Sequence, residues 1–191
     1  MTAENHKTRL HRLELVFLHA PRYFITACAH NRRHILASRA VHETFLRFAQ
    51  EGPKHGAWVG AYVFMPDHFH AFVAIDDQRL NLSTWVKSLK NSISKTLRQD
   101  GIASPHWQKT FFDHLLRSAE SYGEKWYYVR ENPVRAGLVS RWDDWPFRGE
   151  VFSTGISFLA LKARRSQTAA TITLSPPTYD RAQFASLRAG V

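Results

Sequence analysis

Cysteine, acidic residues and long apolar runs are all scarce in this sequence. Cys28 is the single cysteine among 191 residues, which excludes an internal disulfide and a cysteine-rich zinc finger. The longest apolar stretches, at residues 13–18 and 151–161, are much shorter than the roughly 20 apolar residues of a membrane-spanning helix. The polar, mixed-charge residues 1–12 are unlike a signal peptide. We therefore expect a protein of the reducing cytoplasm that has no membrane partner.

The shortage of acidic residues leaves a large positive excess. The chain has 26 Lys and Arg against 16 Asp and Glu, a formal net charge of +10, while 44% of its residues are hydrophobic. This composition is that of a folded protein, so the charge lies on a structured surface. A basic surface attracts nucleic acid or an anionic membrane, and 13% aromatic residues provide stacking surfaces for single-stranded bases. We therefore predict a nucleic acid as the partner.

Hydrophobic periodicity and turn residues predict one α+β domain, since the length leaves little room for two. A strand, a helix, two strands joined by a tight turn, a second helix, a further strand and a third helix follow one another. Their predicted residues are 22–28, 38–50, 57–75 with its turn at 65–67, 84–98, 107–116 and 118–130. Ser38 and Ser118 can cap the first and third helices, and Asn81 or Ser83 can start the second. This βαββαβα order is typical of the ferredoxin-like plan, an antiparallel sheet with helices mainly on one face.

The composition of the chain changes once, after Phe147. Residues 167–179 are rich in Thr, Ala, Ser and Pro, and a pair of arginines precedes them. Such a segment has too few large apolar residues to build a core of its own. We therefore predict a folded domain over residues 1–147 and an appended C-terminal arm over residues 148–191, which need not be fully ordered.

Two histidines stand two residues apart in the most strand-like stretch. Alternation along a strand places His68 and His70 on one face and Phe69 and Ala71 on the other. The two imidazoles are therefore spaced to share a metal ion. With 11 histidines in the chain, such a pair also arises readily by chance. Spacing alone leaves open both a metal site and a pair of hydrogen-bonded structural histidines.

A tyrosine and an asparagine lie four residues apart near the end of the last predicted helix. Tyr128 and Asn132 share one helix face if the helix continues that far. Pro133 disfavours helical geometry at Asn132, which is also consistent with a cap of a following turn. Tyr128 or its neighbour Tyr127 is consistent with simple packing. Composition does not separate a reactive pair from these structural roles.

Three segments resemble, in order and spacing, the single-tyrosine HUH transposases, and most closely their REP-associated tyrosine transposase branch. The segments are residues 22–33, 65–72 and 107–138, and the resemblance extends over residues 22–147. It implies a metal-dependent endonuclease and strand transferase that acts on single-stranded or hairpin DNA. In that family paired histidines hold a divalent metal, and a tyrosine attacks the scissile phosphorus to form a 5′-phosphotyrosine intermediate. Since a phenol ordinarily titrates near 10, it needs a metal or another cation nearby.

The resemblance also implies roles for individual residues. His68 and His70 match the metal ligands, and Tyr128 matches the nucleophile, with Tyr127 as its competitor one residue away. Asn132 takes the position of the third ligand, where many relatives carry glutamine and the REP-associated branch carries asparagine. Two imidazoles and an amide oxygen would by ligand type also accept Zn²⁺. The family implies Mg²⁺ or Mn²⁺, between which the sequence does not choose.

Basic residues in and near these segments are candidates for holding DNA phosphates. Trp107 or Phe111 could stack on bases, and His114 is as consistent with a structural role as with one in the site. Any single charged residue is equally consistent with ordinary solvation, but an excess of ten charges needs a counterpart. The candidate DNA contacts are Arg32, Arg33, Lys87, Lys90, Arg117, Arg130 and Arg135.

Two other functions compete with a transposase-like enzyme. A non-catalytic DNA-binding protein, such as a regulator of hairpin elements, would keep the fold and the basic surface. DNA binding alone, however, does not require the paired histidines, the tyrosine and the asparagine to occur together. A replication initiator or relaxase shares the paired histidines but usually brings a larger or rearranged domain. We expect a monomer that needs no protein partner and is associated with the nucleoid.

Overall fold

The structure is a computed structural model and describes residues 21–116 and 119–152. In chain order its strands and helices are β1 Arg22–Cys28, α1 Arg39–Glu51, β2 Ala57–Phe64, β3 His68–Ile75, α2 Leu82–Gln99, β4 Phe112–Leu116, α3 Ala119–Arg130, α4 Asn132–Arg135 and β5 Arg148–Glu150. Single 3-10 turns lie at His30–Arg32, Gly52–His55 and Trp142–Asp144. No helix in this part of the chain combines the length and the apolar character that crossing a membrane requires.

The strands form one antiparallel sheet in the order β4-β1-β3-β2-β5. β1 lies between β4 and β3, and β3 lies between β1 and β2, so the strand that carries the two histidines is inside the sheet. The tight turn predicted at residues 65–67 joins β2 and β3 as a hairpin. The α+β architecture that the element order predicts is therefore confirmed.

Capping side chains set the starts of the first two helices. Ser38 accepts a hydrogen bond from the backbone nitrogen of Val41, as predicted for the cap of α1. Asn81 accepts one from the backbone nitrogen of Thr84 in the same way, so α2 begins two residues before its predicted start. The predicted cap of α3, Ser118, lies outside the described residues.

The fourth strand is shorter than predicted. The sequence predicts it from residue 107, but it begins at Phe112, and Trp107 forms only an isolated bridge. Lys90 of α2 donates through Nζ to the carbonyl oxygens of Gln108 at 3.1 Å and Thr110 at 3.0 Å. Because these carbonyls are bound by a side chain, they do not need a neighbouring strand, and the chain stays irregular there.

The sheet separates two hydrophobic cores. On one face, α1 and α2 pack on residues of β3 such as Phe69 and Val73. On the other face, α3 packs Trp126 against Phe72. Two helices on one face and one on the other agree with the predicted arrangement. Since His70 alternates with Phe69 along β3, the histidines lie on the face that α3 covers.

The last strand extends the sheet beyond the predicted domain boundary. β5 pairs with β2, with Gly149 directly opposite Tyr62. A Cβ at Gly149 would lie 2.8 Å from Tyr62 Oη, closer than real Cβ atoms come, and a tight 3.2 Å from its Cζ, so any larger residue would have to displace the Tyr62 ring or the strand. The sheet therefore continues past residue 147. The rest of the predicted arm, residues 153–191, lies outside the described part of the chain.

Candidate active site

His68 and His70 occupy the first and third positions of β3 and face each other. Their Nε2 atoms are 3.1 Å apart, and the two rings are nearly perpendicular, at 83°. His70 is 4% exposed, whereas 15% of the His68 side chain is exposed. The pair thus presents two ring nitrogens to one point, with His68 the more accessible of the two.

A polar side chain holds the other nitrogen of each ring. His68 Nδ1 lies 2.6 Å from Asp67 Oδ1, and His70 Nδ1 lies 2.7 Å from Thr26 Oγ1. Thr26 is directly opposite His70 in the β1–β3 pairing, so the sheet itself brings them together. Phe24 stacks on His70 with ring centroids 5.4 Å apart and an interplanar angle of 18°. Both imidazoles are therefore oriented by the fold.

Burial keeps the inner histidine uncharged. It lowers the pKa of His70 well below the ordinary value of 6.5. Coulombic interactions with His68, Arg32 and Arg135 lower that pKa further. A neutral imidazole is the form that binds a metal. Arg135 belongs to α4, so a charge at the end of that helix acts on the inner histidine.

Arg32 joins this network, although 49% of its side chain stays exposed. Its Nε lies 2.7 Å from Asp67 Oδ2, and its Nη1 donates to Cys28 Sγ at 2.8 Å. Burial alone would raise the pKa of Asp67, but the hydrogen bond and Coulombic interaction with His68, together with the charge of Arg32, lower it overall. Burial raises the pKa of the Cys28 thiol, although Arg32 opposes this. At neutral pH Asp67 is therefore an anion and Cys28 a thiol.

The two histidines fit a divalent metal. Two nitrogens 3.1 Å apart can both bind one ion at metal–nitrogen distances of about 2.0 to 2.1 Å, at close to a right angle. Octahedral Mg²⁺ and Mn²⁺ use such angles. Within residues 21–116 and 119–152, no cluster of three or more His, Cys, Asp and Glu side chains could hold a metal. An amide oxygen, a water molecule or a phosphate would complete such a site.

Tyr128, Asn132 and Arg135 meet at the junction of α3 and α4. Arg135 donates to the backbone oxygen of Tyr128 and to Asn132 Oδ1. The Cζ atom of Arg135 lies 4.1 Å from the centre of the Tyr128 ring, a cation–π contact. Because Arg135 touches both residues, Tyr128 and Asn132 lie on the same side, as their four-residue spacing allows. The Tyr128 side chain is 45% exposed and therefore accessible to a large substrate.

The neighbouring tyrosine has different surroundings. Arg130 Cζ lies 4.8 Å from the centre of the Tyr127 ring and 5.4 Å from that of Trp142. Tyr127 thus contacts Arg130, which also lies over Trp142, whereas Tyr128 contacts Arg135. Of the two tyrosines, Tyr128 is the one linked through Arg135 to the surroundings of the histidine pair.

The predicted DNA contacts are spread over the molecule. Lys90 is occupied by the two carbonyls that interrupt β4, and burial lowers its pKa. Arg33 donates to the carbonyl oxygen of Ala103 at 2.8 Å. Lys87 is exposed on the outer side of α2, a helix that packs on the sheet face away from the histidines. Only part of the basic surface therefore surrounds the site.

The other candidate DNA contacts that the sequence predicts lie in different environments. Arg130 pairs with Glu131 at 3.1 Å, and Arg117 lies outside the described residues. Trp107 donates its Nε1 proton to acceptors of α2 and packs against the core, so it does not form a free stacking surface. His114 is exposed on the edge strand β4.

Asp67 and Thr26 are members of the site that the sequence analysis did not single out. The sequence does indicate Asp67 as a member of the site, since it directly precedes His68 in the chain. It does not indicate Thr26, because only the β1–β3 register brings residue 26 beside His70. The register of two segments so far apart in sequence is not readable from either one.

Comparison with known proteins identifies the family. The model of the family described as IS200-like transposase matches residues 18–126, more than half of the chain. The chain is 24% identical over 128 residues to the REP-associated tyrosine transposase of Escherichia coli K12, which covers 65% of this chain and 73% of that protein. A Haemophilus influenzae protein whose name places it in the same group is 24% identical over 135 residues, 65% of this chain and 77% of that protein.

A solved structure agrees with the fold. The structure of a REP-associated tyrosine transposase bound to a REP hairpin aligns with a TM-score of 0.58 and 22% identity, covering 84% of this chain and 88% of the other. The resemblance carried by the three sequence segments is confirmed by the family match and by both relatives. The chain therefore belongs to the IS200-like transposase family, and the relatives that it matches there are REP-associated tyrosine transposases.

Proposed function

We propose that the protein is a metal-dependent endonuclease and strand transferase that acts on single-stranded DNA beside a hairpin, through a covalent 5′-phosphotyrosine intermediate. The observation that carries this proposal is the histidine pair, with Nε2 atoms 3.1 Å apart on the sheet face that the tyrosine helix α3 covers. In this proposal His68, His70 and Asn132 hold Mg²⁺ or Mn²⁺. The ion would neutralise charge that develops on the scissile phosphate.

Tyr128 supplies the nucleophile in the proposed reaction. Its phenol oxygen attacks the phosphorus of a phosphodiester and forms a bond to it, while the bond from phosphorus to the 3′ oxygen breaks. The phenol proton passes to solvent, and the departing 3′ oxygen takes up a proton to become a hydroxyl. Because the new link conserves the energy of the phosphodiester, a second 3′ hydroxyl can reverse the step and join a new strand without ATP.

Arg135 orients two of the proposed participants at once. Its guanidinium packs on the Tyr128 ring and donates to Asn132 Oδ1, so a single side chain positions the nucleophile and the third ligand. An amide oxygen has two lone pairs, which leaves Asn132 one for a cation. The remaining guanidinium donors suit a DNA phosphate.

Hairpin DNA is the partner that the relatives suggest. The solved relative is a complex with a REP hairpin, and the net charge of +10 complements the phosphates of a stem and its flanking strand. We extend this partner to the present chain, with a monomer as the acting unit. Of the predicted DNA contacts, Arg32 is left out of this scheme, because Asp67 and Cys28 already engage it.

Replacing Tyr128 with Phe tests the nucleophile. Single-stranded oligonucleotides that carry a hairpin from the flanks of the gene, incubated with Mn²⁺, should form an adduct that survives denaturing electrophoresis. Tyr128→Phe should abolish cleavage and the adduct but leave DNA binding nearly unchanged, because only the attacking oxygen is lost. Tyr127→Phe is the matched control and should retain the adduct. Loss of the adduct in Tyr127→Phe but not in Tyr128→Phe would show that Tyr127 is the nucleophile.

Removing both histidines tests the metal requirement. The double variant His68→Ala with His70→Ala should lose cleavage, and EDTA should abolish it in the unaltered protein until Mn²⁺ or Mg²⁺ is restored. Cleavage that persists in EDTA would refute the metal. Tight DNA binding without an adduct under any of these conditions would instead indicate a non-catalytic DNA-binding protein.

A further inference from the structure

A continuous chain of polar contacts runs from the turn after β1 through the histidine pair. Neighbouring atoms in it lie between 2.6 and 3.1 Å apart. Its two ends, an arginine and a threonine, both come from the β1 region, while its centre lies on β3. In order, its members are Arg32, Asp67, His68, His70 and Thr26.

The backbone is strained where this chain of contacts begins. Asn31 and Arg32 are consecutive residues with positive φ, 50° and 55°, in the left-handed region that is unfavourable for residues with a side chain. Asparagine tolerates this region better than arginine does. The turn directs the Arg32 guanidinium onto Asp67 and Cys28. Strained backbone that delivers one side chain to the neighbour of a candidate ligand is typical of sites where position matters.

Asp67 restricts His68 to one tautomer. An ionised carboxylate only accepts hydrogen bonds, so the 2.6 Å contact requires a proton on His68 Nδ1. In a neutral imidazole, Nε2 then carries the lone pair that a metal binds. Arg32, at 2.7 Å from the other carboxylate oxygen, holds Asp67 in this position.

Thr26 imposes no such restriction on His70. A hydroxyl both donates and accepts, so the 2.7 Å contact is compatible with either tautomer. With His68 Nε2 unprotonated, the 3.1 Å contact between the two Nε2 atoms requires the proton on His70 Nε2, and Thr26 then donates to Nδ1. If both Nε2 atoms bind a metal, that proton must lie on His70 Nδ1, where the threonine oxygen accepts it. The number of protons on the ring does not change.

We propose that Asp67, held by Arg32, and Thr26 are positioning residues for the histidine pair, with different tasks. Asp67 fixes His68 in its metal-binding tautomer. Thr26 allows the His70 proton to move from Nε2 to Nδ1, which gives His70 its metal-binding tautomer when a metal binds. The inference rests on the proposed function, in which the pair binds a divalent metal. It also gives Arg32 a task other than the DNA contact that the sequence predicts.

The affinity of the full chain for Mn²⁺, measured by calorimetric titration without DNA, tests both positioning residues. Asp67→Asn should weaken Mn²⁺ binding by about 10- to 100-fold, because the amide can donate to His68 Nδ1 and favour the wrong tautomer. Thr26→Val should weaken binding by about tenfold. Thr26→Ser restores the hydroxyl and should recover it. Unaltered affinity in both Asp67→Asn and Thr26→Val would overturn the proposal.

Arg32→Lys separates positioning from DNA binding. Lysine keeps the charge but cannot contact Asp67 and Cys28 together, so Mn²⁺ affinity should fall while DNA affinity in EDTA stays unchanged. Arg141→Lys is the matched control, because Arg141 also faces an aspartate, Asp143, at 4.0 Å, and should change neither affinity. Weakened DNA binding with unchanged Mn²⁺ affinity in Arg32→Lys would overturn the role of Arg32.

The tautomers themselves are readable by proton–nitrogen correlation spectra of the metal-free protein. His68 should carry its proton on Nδ1, and His70 should carry its proton on Nε2. Asp67→Asn should move the His68 proton to Nε2 without changing the thermal unfolding midpoint of the protein. If the unaltered protein shows these tautomers but binds no Mn²⁺, the metal site of the proposed function is refuted, whereas the effect of Asp67 and Thr26 on the tautomers is supported. If it binds Mn²⁺ while Asp67→Asn keeps the His68 proton on Nδ1, the positioning role of Asp67 is refuted and the metal site is supported.

Discussion

At the scale of single residues, His70 makes the stability of the domain sensitive to acid. Its pKa in the folded protein lies well below the ordinary 6.5, so below that pH the unfolded chain binds a proton that the folded chain does not. The free energy of unfolding should therefore decrease as the pH falls below about 6.5, by up to about 1.4 kcal/mol per pH unit from this group. Urea unfolding in EDTA at successive pH values measures the slope.

The matched control for this prediction is a second histidine, His42, which is only half-buried. Burial also lowers the pKa of His42, although Glu43 opposes the shift, so His42→Gln should remove a smaller part of the same slope. His70→Gln should flatten the dependence on pH more strongly. Equal slopes in His70→Gln and the unaltered protein would show that the acid sensitivity arises elsewhere.

The residues of the site were predictable only where the chain itself displays them. Alternation along one strand placed His68 and His70 on a common face, and the structure has them facing each other. Thr26 could not be predicted in this way, because it becomes a neighbour of His70 only through strand pairing. The role of Arg32 was equally hidden, because its contact with Asp67 depends on a left-handed turn that the sequence does not signal.

At the scale of elements, the pairing of β5 with β2 depends on one glycine. A Cβ at Gly149 would lie 2.8 Å from the Oη of Tyr62, a buried ring that is also held by a hydrogen bond to His42 at 2.8 Å. Gly149→Ala should therefore lower the free energy of unfolding by about 1 to 3 kcal/mol, since the ring or the strand must move. Thermal or urea unfolding gives the difference.

Coupling to the tyrosine distinguishes this clash from a general effect on the strand. In the Tyr62→Phe background the nearest oxygen is gone, so Gly149→Ala should cost less there than in the unaltered protein. An equal cost in both backgrounds would mean that the alanine acts through the backbone of β5 and not through the contact with Tyr62.

The boundaries of the elements could be predicted where a local signal exists. Ser38 and the turn at residues 65–67 are such signals, and α1 and the β2–β3 hairpin follow them. The start of β4 could not be foreseen, because a lysine from α2 binds the carbonyls that would have continued the strand. The face that α3 covers is likewise decided by packing against Phe72 and its neighbours, not by the helix alone.

At the scale of the whole molecule, the positive charge is distributed over both sides of the sheet. The 18-residue helix α2 has no acidic residue, and its exposed cations Lys87, Lys95 and Arg98 lie away from the histidine face. A short single strand at the site reaches only the cations nearby, whereas a hairpin stem adds phosphates for others. Binding of a hairpin oligonucleotide should therefore weaken more steeply with salt, by about 0.7 to 0.9 in log–log slope per added phosphate contact.

Fluorescence anisotropy at several salt concentrations measures both slopes. Replacing Lys87, Lys95 and Arg98 together with Gln should reduce the slope for the hairpin oligonucleotide and leave that of the single strand unchanged. Identical slopes for the two oligonucleotides in the unaltered protein would show that the stem adds no contacts to the protein.

The position of β1 and β3 inside the sheet has an energetic consequence for the whole domain. Both strands are hydrogen-bonded on two sides, whereas α3 adheres to the sheet through one apolar face. Elements of these two kinds open at different free energies: the inner strands with the cooperative unfolding of the domain, and a covering helix at lower cost. A local opening of α3 would thus carry Tyr128 away while the histidine pair stays assembled. The proposed reaction therefore requires α3 to stay packed on the sheet, through contacts such as Trp126 on Phe72, in addition to intact strands that carry the two histidines.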